Sequence, residues 1–408
     1  MRLFAAVAAG LLAASCVQAQ ITVPPRGDAA TFDVAAWNVE FFGEITEGPG
    51  SPTAANDSLQ LDRVQAVIEQ GQIDLWGLEE VVDADDFAKL LRRVQGEGYA
   101  GVLGPNVSSS TIFNQKLAFV YNTNVVQVLS TQTILPNQAY NFAYRLPFEM
   151  TANVTVGGTT REVRIIVLHA KATGDAESYI RRREASVALK AYVDGQVAMG
   201  RAVIVMGDFN DELAASISGG GRPSPYVNFV SDPAYVFATS ALDAQNVPTY
   251  CNNASCSSGS TLDHVLLSAP AAAGYVAGSG DRYGELLTGI TQYTSTTSDH
   301  LPVLARISLP GIPVADEAGP TPGSVVLLPA APSPFRSQTT LRFLLAAPAD
   351  VSVDVVDVLG RTVAHLGGPY GAGEHRVTLD GGALAAGVYR VRVRAGGEER
   401  VQTVVRAR

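Results

Sequence analysis

VIVMGDFND, residues 203–211, is the stretch that decides the fold. Its first four residues are apolar without alternation, which is typical of a strand buried on both faces. The polar residues Asp208, Asn210 and Asp211 follow where this strand ends. Asp208 and Asn210 are two apart and point the same way if the extended geometry continues. We therefore expect a site at the lip of a sheet, although a simple turn would also suit Asp and Asn.

Similar apolar runs recur before residue 311 and alternate with helical patterns. Strands are predicted at DVAAWNVEFF (33–42), KLAFVYN (116–122), VRIIVLHA (163–170), AVIVMGDF (202–209) and LDHVLLS (262–268). Helices are predicted where apolar residues recur at helical spacing, namely at Leu61, Val64 and Ile68, at Phe87, Leu90, Leu91 and Val94, and at Ile180, Val187 and Ala191. This alternation predicts sheets covered by helices.

Composition and charge divide the chain. With 408 residues, 47% of them apolar and 17% charged, the protein can bury large cores and should contain two or three domains. GIPVADEAGPTPGS, residues 311–324, predicts a linker between a domain at 20–310 and an all-β sandwich at 325–408. Residues 1–324 hold 19 basic and 32 acidic side chains, against 10 and 7 after them. An acidic domain binds a polyanion weakly unless its site carries divalent cations.

The amino terminus predicts export. Residues 1–19 read as a signal peptide, with Arg2 before an apolar stretch and small residues before Gln20 as a cleavage site. The alternative takes Cys16 as a lipidated cysteine. No other segment is long and apolar enough to span a membrane.

Cys251 and Cys256 lie in a polar loop of this exported chain, which predicts a disulfide. A metal site is the competing interpretation, but two thiols without a nearby second pair make a poor zinc signature. The bridge would stiffen the loop that leads to Asp263.

Polar residues also mark the ends of the other predicted strands. Asn38 and Glu40 lie in WNVEFF, Glu80 follows DLWGLE, His169 ends IIVLH, and Asp299-His300 lies in TTSDHLPV. The histidines of the first domain, at 169, 264 and 300, all lie in strand-linked motifs. We interpret His264 as structural, since it should face away from the neighbouring Asp263.

Six motifs carry a resemblance over about residues 30–308. They are, in order, WNVEFF, GLEEV, LHAKA, GDFND, LDHVLLS and SDHLPV. In them the chain resembles the endonuclease/exonuclease/phosphatase superfamily, which includes pancreatic deoxyribonuclease, bacterial sphingomyelinases and inositol polyphosphate phosphatases. The resemblance implies an α+β fold, a four-layer αββα sandwich with its site at one rim of the paired sheets.

The resemblance also implies a role for each polar residue. Asn38 and Glu80 would hold a divalent cation with Asp299 nearby, and their oxygen ligands suit Mg²⁺ or Mn²⁺. Asp263 would orient His300, which activates water or stabilises the pentavalent phosphorus. Asp208 and Asn210 would align the nucleophile and bind a phosphoryl oxygen, His169 would protonate the leaving oxygen, and Arg145 would contact a phosphate.

Two positions depart from the deoxyribonuclease pattern. Gln115 stands where that enzyme has a glutamate that supports the first histidine, and Val82 stands where it has an arginine that reaches the minor groove. Just before Arg145, the alternating aromatics Tyr140, Phe142 and Tyr144 predict one packed face of a sheet. Stacking on a base or insertion into a lipid surface are the alternatives.

Residues 325–408 resemble the C-terminal sorting domain of the type IX secretion system. The resemblance is carried by Pro332-Ser333-Pro334-Phe335, by VVDVLGR at 355–361 and by Gly387-Val388-Tyr389. It implies a small immunoglobulin-like β-sandwich that engages the type IX secretion machinery, followed by release or outer-surface attachment. No catalytic residue and no stable protein partner are expected.

These observations predict a secreted, Mg²⁺-dependent phosphodiesterase, above all a nuclease that hydrolyses extracellular nucleic acid by in-line attack of an activated water. A sphingomyelinase-type phospholipase C and a phosphomonoesterase for phosphorylated small molecules are the enzymatic alternatives. A catalytically decayed surface binding module is the alternative of another class.

Overall fold

The computed structural model describes residues 21–50, 53–106, 114–312, 325–345, 347–371, 373–382 and 384–407. The predicted signal peptide, with Cys16, lies outside these residues. So does the predicted linker after Ile312.

The larger domain contains strands and helices in alternation. Its strands are β1 Phe32–Phe42, β2 Leu75–Val81, β3 Tyr99–Leu103, β4 Lys116–Asn122, β5 Val126–Thr133, β6 Phe148–Val156, β7 Thr159–His169, β8 Ala202–Asp208, β9 Tyr235–Phe237, β10 Tyr250–Cys251, β11 Gly259–Ser260, β12 Asp263–Ser268, β13 Asp281–Arg282 and β14 Val303–Ile307. Its α-helices are α1 Ala54–Gly71, α2 Ala84–Val94, α3 Ala176–Val197, α4 Val227–Val230, α5 Ser240–Ala244, α6 Ala269–Ala272 and α7 Leu286–Gly289. Short 3₁₀ helices cover Gln95–Glu97, Pro136–Gln138, Tyr293–Ser295 and Leu309–Gly311.

Two six-stranded sheets form the centre of this domain. Sheet A has the strand order β13-β14-β1-β2-β4-β3, and sheet B has the order β5-β6-β7-β8-β12-β9. The pair β1 and β2 and the pair β7 and β8 are parallel, and the other pairs are antiparallel. Parallel neighbours therefore place the carboxyl ends of four strands at one rim.

Three hydrophobic cores show that the domain has four layers. One core joins sheet A to α1 and α2, and includes Trp37, Trp76 and Phe87. A second core fills the space between the sheets, and a third joins sheet B to α3 through residues such as Leu189 and Val205. The order helix, sheet, sheet, helix is the predicted αββα sandwich.

Helix α3 buries a different face from the one its apolar residues suggest. Ile180 and Val187 were part of the helical pattern, yet both are about half exposed, at 49% and 54%. The buried face instead carries Arg182, Ala185 and Leu189. The prediction of a helix was correct, but a buried arginine and small residues define its inner face.

The last strands form a separate all-β sandwich. They are β15 Val325–Ala331, β16 Gln338–Leu345, β17 Ala349–Val356, β18 Thr362–Tyr370, β19 Gly373–Asp380, β20 Gly387–Ala395 and β21 Glu398–Arg406. Sheets of order β15-β16-β19 and β18-β17-β20-β21 enclose one core with Phe343, Val353 and Val391. This is the predicted small β-sandwich. Across the described part of the chain, no helix has the length and hydropathy that a membrane crossing requires.

Two aspartates, Asp33 and Asp74, lie at the rim of sheet A where β1 and β2 begin. The backbone N–H of Asp33 donates to Asp74 Oδ2 at 3.0 Å, and both side chains are buried. Burial raises the pKa of Asp74 to about 7, with repulsion from Asp33 adding to it, and burial likewise raises the pKa of Asp33 to about 6. The folded state therefore holds these protons more tightly than the unfolded state, and stability falls as pH rises from about 4 through about 7.

We expect Asp74→Asn to raise the thermal unfolding temperature at pH 8 and to leave it nearly unchanged at pH 4. At pH 4 the wild-type carboxyl is already protonated in the folded state, and the amide oxygen can still accept from Asp33. Calorimetry at both pH values measures the difference. Asp232→Asn is the control and should lower the unfolding temperature at pH 8. Hydrogen bonds from Lys190 and from the backbone N–H of Ala234 lower the pKa of Asp232, so its charged form stabilises the folded state. An equal gain for Asp74→Asn at both pH values would contradict the assignment.

Candidate active site

Three neighbouring strands of sheet B place a polar residue at the same rim. His169 ends β7 and pairs in register with Asp208, the last residue of β8. Asp208 in turn pairs with Asp263, the first residue of the antiparallel strand β12. Residues paired across strands share a face. That face looks toward sheet A, because the residues two positions further into each strand lie in the core between the sheets, namely Val167, Met206 and Val265.

Sheet A supplies Asn38 and Glu80 to this rim. Strict alternation along β2 would direct Glu79, and not Glu80, toward sheet B. The strand is irregular here, with a register shift between Leu78 and Val81 and a φ of +62° at Glu80. Such a bulge re-aims a side chain. The Asn38 amide Nδ2 donates to Glu80 Oε1 at 3.1 Å and to Asp208 Oδ2 at 3.2 Å, so it connects the two sheets.

The loop before β14 brings Asp299 and His300 to the same place. His300 Nδ1 bonds to Asp263 Oδ2 at 2.8 Å, while Nε2 lies 3.9 Å from Asp208 Oδ2 and 4.0 Å from Asp299 Oδ1. The backbone N–H of Asp299 donates to Glu40 Oε2 at 2.8 Å. Glu40, which the sequence left ambiguous, therefore belongs to the site.

Ser298 was missed by the sequence analysis although it lies in the SDH motif. Its hydroxyl donates to the backbone oxygen of Asn38 at 2.6 Å and accepts from the backbone N–H of His300 at 2.9 Å. One side chain thus fixes the His300 backbone against the end of β1. Its position directly before Asp299-His300 was the only signal in the sequence.

Asn210 and Arg145 meet at one carbonyl group. The Asn210 side-chain Nδ2 donates to Asp208 Oδ2 at 2.9 Å and to the Ala170 oxygen at 3.2 Å. Arg145 Nη2 donates to the same Ala170 oxygen at 2.7 Å, and its Nη1 donates to Gln115 Oε1. Gln115 therefore supports the guanidinium. Within the described residues, His169 Nδ1 is buried without a hydrogen-bond partner.

The two histidines of the site differ in charge. For His300, burial alone would lower the pKa, but attraction and a hydrogen bond from Asp263, together with Asp208 and Asp299, raise it well above its usual value. For His169, burial and the positive charges of Arg145, His300 and Lys171 lower the pKa well below its usual value. His169 is accordingly neutral at neutral pH, and His300 carries the proton.

Carboxylates accumulate around these histidines. Burial raises the pKa of Asp208 to about 7 against the attraction of His300, and repulsion from Asp263 adds a smaller upward contribution. Burial and repulsion from Asp299 and Glu80 raise the pKa of Glu40 to about 9. Buried acids without equal positive charge favour binding of a cation.

The oxygens of Asn38, Glu40, Glu80 and Asp299 are hard donors of the kind that divalent cations prefer. A second arrangement is also present, since Asp208, Asp263 and His300 offer ligand atoms within 4.8 Å of one another. His300 Nδ1 is already bonded to Asp263 there, and an Asp–His pair of this geometry orients an imidazole for proton transfer. We therefore favour the oxygen set for the metal.

A disulfide-closed hairpin supports the site from outside. Cys251 and Cys256 are bonded as predicted, and the hairpin of β10 and β11 lies beside the SDH loop. The backbone N–H of Cys251 donates to the Asp299 oxygen at 2.8 Å. The hydroxyl of Thr249 accepts from the N–H of Asp263 at 3.0 Å. The hairpin therefore holds the backbone at both Asp263 and Asp299.

Two sequence expectations about nearby residues meet different outcomes. His264 is structural, as expected: it is buried, and its ring nitrogens contact Thr239 Oγ1 and the Asp211 oxygen at 3.1 Å. The prediction that Tyr140, Phe142 and Tyr144 form one packed face of a sheet is wrong, because residues 139–144 form turns. Phe142 is buried, but Tyr140 and Tyr144 are 51% and 50% exposed.

A buried ion pair fixes the loop after β8. Arg182 and Asp211 are both fully buried, with Nη2 and Oδ2 2.8 Å apart. Asp211 Oδ2 also accepts from Ser216, and its Oδ1 accepts from the Ile217 N–H at 2.8 Å. Removing one member of such a pair costs about 3–5 kcal/mol. The second acid of GDFND is therefore a structural anchor for the loop that carries Asn210.

Comparison with solved structures finds the same fold. An endonuclease/exonuclease/phosphatase from Beutenbergia cavernae is similar at 17% identity and a TM-score of 0.50, over 92% of this chain and 100% of that one. The human Nocturnin catalytic domain is similar at 19% identity and a TM-score of 0.44, over 70% and 99%. Humanized D. rerio TDP2 is similar at 14% identity and a TM-score of 0.46, over 68% and 98%. No curated protein matches the sequence.

Family models cover both domains. The model described as secretion system C-terminal sorting domain matches residues 330–406, which marks the chain as a type IX secreted or outer-surface protein. The model of the Endonuclease/Exonuclease/phosphatase family matches residues 35–300, a range that includes Asn38, Glu80, His169, Asp208, Asp263 and His300. The chain belongs to the Endonuclease/Exonuclease/phosphatase family.

Proposed function

We propose that this protein is a secreted, Mg²⁺-dependent phosphodiesterase that hydrolyses extracellular nucleic acid. Family membership supports a phosphoric ester hydrolase, and the sorting domain supports export. One observation carries the proposal: Asp208 lies in register between His169 and Asp263 and faces the Asn38 amide across the sheets. Acids, imidazoles and amide donors around one point are what in-line attack on phosphorus requires.

Asn38, Glu80 and Asp299, with Glu40 beside them, would hold the Mg²⁺ ion, and Mn²⁺ would suit the same oxygens. A bound divalent cation supplies positive charge that stabilises the equatorial oxygens of the transition state. The chain itself contributes Arg145, whose pKa is lowered by burial and partly restored by the nearby carboxylates of Glu80 and Asp208.

Asp208 is proposed to accept the proton of the attacking water. Its pKa near 7 matches the requirement for a general base at neutral pH. Asn210 donates one hydrogen bond to Asp208 Oδ2 and so fixes the carboxylate relative to the phosphate. The water oxygen forms the new bond to phosphorus while the ester P–O bond on the opposite side breaks, and the leaving oxygen takes a proton from solvent.

The histidines are proposed to act on the phosphoryl oxygens. Protonated His300, oriented by Asp263, donates through Nε2 and stabilises negative charge as it develops. The Nε2 atom of neutral His169 lies 3.4 Å from Asp208 Oδ2 and 3.7 Å from Glu80 Oε1. We propose that this atom is a hydrogen-bond donor beside the two carboxylates. Because its pKa is lowered, we propose His169 as a donor to oxygen in place of the acid expected from the sequence.

Nucleic acid is favoured over lipid by the surface around the site. A lipid enzyme should expose an apolar hairpin there, and the described exposed apolar side chains, such as Ile45 and Leu129, are scattered along the chain. Arginine and lysine side chains lie next to Arg145 instead. The intact set of acids and histidines also argues against a decayed binding module.

We expect the purified secreted chain to hydrolyse DNA or RNA with Mg²⁺ and to lose activity in EDTA. Adding back Mg²⁺ or Mn²⁺ should restore it, because the oxygen donor set accepts either ion. DNA, RNA, sphingomyelin, a phosphomonoester and a bis-aryl phosphate offered in parallel measure the specificity. Hydrolysis of sphingomyelin or of the monoester alone would reject the nuclease assignment, and full activity in EDTA would reject the metal.

His300→Ala should lower kcat/KM by at least about 100-fold, in the range found for loss of acid–base groups. Asp263→Asn should lower it less, since the imidazole remains but loses its orienting charge. Circular dichroism checks that both variants fold. His365→Ala, which removes an exposed histidine of the sorting domain, is the matched control and should behave as wild type. Appreciable residual activity in His300→Ala would remove this residue from its assigned role.

A further inference from the structure

A cavity of about 380 Å³ opens beside the active site. Its wall includes four cationic side chains, Lys116, Arg145, Lys171 and Arg181, together with Tyr144. We propose that this cavity binds the nucleotide next to the scissile phosphodiester of a single-stranded polynucleotide, with its phosphate on the cations and its base on the tyrosine side. This inference rests on the nuclease function proposed above and specifies its substrate.

Arg145 places the cavity directly against the reacting group. Its guanidinium lines the cavity and donates to the Ala170 oxygen, the same oxygen that accepts from Asn210. Lys171 and Ala172, also in the wall, follow His169 after one residue. A strand whose phosphodiester lies at Asp208 would therefore place its neighbouring nucleotide in this cavity.

The charge of the wall is unbalanced. The lining residues that the structure describes include no carboxylate, and none of the four cations forms a salt bridge with a described residue. Arg145 pairs with the neutral amide of Gln115, the position where the deoxyribonuclease pattern has an acid. Burial and the nearby charges of Arg181 and Arg145 lower the pKa of Lys171, which shows how closely like charges are held. An anion is the complementary ligand.

Two nearby carboxylates, Asp175 just before α3 and Glu177 in its first turn, do not cancel this charge. Asp175 caps the helix and accepts from Thr173 and from Ser178. Glu177 accepts from the Tyr140 hydroxyl at 2.6 Å. Both are committed to neutral partners. The wall therefore stands out within a domain whose acids outnumber its bases.

The aromatic side of the cavity is built rigidly. Phe142 is buried and anchors the turn, and Ala143 and Tyr144 both adopt positive φ, at 52° and 62°. The guanidinium carbon Cζ of Arg181 lies 4.1 Å from the ring centroid of Tyr140, and Nε of Arg181 donates to the backbone oxygen of Tyr140 at 3.0 Å. A strained turn held in this way keeps two tyrosines half exposed beside the cations. Exposed rings next to arginine are a platform on which bases stack.

The dimensions and chemistry of the cavity favour a single strand. Its volume lies within the range of sites for small ligands, about 300–1,000 Å³. A duplex keeps its bases paired and stacked, and would have to extrude a base to fill the cavity. A lipid tail would need a mostly apolar wall, whereas this wall carries four charges and the amides of Asn106, Asn114 and Gln115 beside apolar residues such as Leu117 and Phe148.

Binding without turnover tests the proposal. The probe is a short fluorescein-labelled oligothymidylate in EDTA, and fluorescence anisotropy gives Kd over a salt series. Lys171→Ala should weaken binding and reduce the slope of log K against log salt by about 0.7, the value for one phosphate contact on a single strand. Among the described residues, the hydrogen bond of Lys171 Nζ is to the adjacent Ala172 oxygen, at 2.9 Å, so this change removes a local hydrogen bond.

Tyr144→Ala should raise Kd by about 5- to 100-fold, the range for loss of one stacked base, with an unchanged salt slope. Arg183→Ala is the matched control, because Arg183 lies on the same helix as Arg181 but is exposed and paired with Glu184. It should change neither the Kd nor the slope. The annealed duplex should bind at least about tenfold more weakly than the single strand.

Wild-type Kd and slope in both Lys171→Ala and Tyr144→Ala would overturn the proposal, and so would equal affinity for duplex. Competition by phosphocholine vesicles but not by unlabelled oligonucleotide would assign the cavity to a lipid headgroup and also overturn it. The nuclease function is tested separately by turnover. Oligonucleotide binding that depends on Lys171 and Tyr144 without hydrolysis would support the cavity and reject the nuclease.

Discussion

One amide group connects the two halves of the active site. Asn38 at the end of β1 in sheet A donates to Glu80 from the same sheet and to Asp208 from sheet B. Both acceptors are buried carboxylates, which repel each other and are costly to desolvate. A neutral side chain with two donors is suited to hold them together, since it satisfies both oxygens without cancelling the charge that a cation needs. The relative position of the two sheets at this rim therefore depends on Asn38.

The charged groups at the rim are not arranged as simple ion pairs, and the position of each group decides which neighbours it has. Acids lie on β1, β2, β8, β12 and the loop before β14, while the positive groups are His300 and Arg145. Burial lowers the pKa of both imidazoles, but Asp263 overcomes this effect at His300, whereas Arg145 reinforces it at His169. Two histidines within reach of one carboxylate thus hold different protonation states at one pH. This separation follows from which neighbour each ring has, because both rings are buried.

The sequence predicted the fold class and most of the site because the motifs follow strand ends. Alternation along β7, β8 and β12 places His169, Asp208 and Asp263 on one face, and the parallel pairing of β7 with β8 and antiparallel pairing of β8 with β12 bring them to one rim. Alternation failed at Glu80, where a bulge reverses the direction of the side chain, and only the resemblance identified that residue. It also failed on α3, where buried Arg182 replaces the apolar stripe. Tertiary partners such as Asp211 decide these cases, and no local pattern contains them.

Backbone strain at the rim shows how the scaffold is used. Glu40, Glu80 and Asn210 all have positive φ, at 45°, 62° and 52°, a conformation that non-glycine residues adopt at a cost of about 1–3 kcal/mol each. Gly207, with a φ of 139°, meets the same need without a side chain, and a Cβ there would lie 2.1 Å from the Leu168 oxygen. Strain of this size persists only where the surroundings fix the chain. The Arg182–Asp211 pair fixes the loop at Asn210, and the disulfide hairpin fixes the loop at Asp299, whose N–H in turn holds Glu40. The outer supports, some of which bond directly to the backbone of the site, therefore allow its residues to occupy positions that they would not adopt alone.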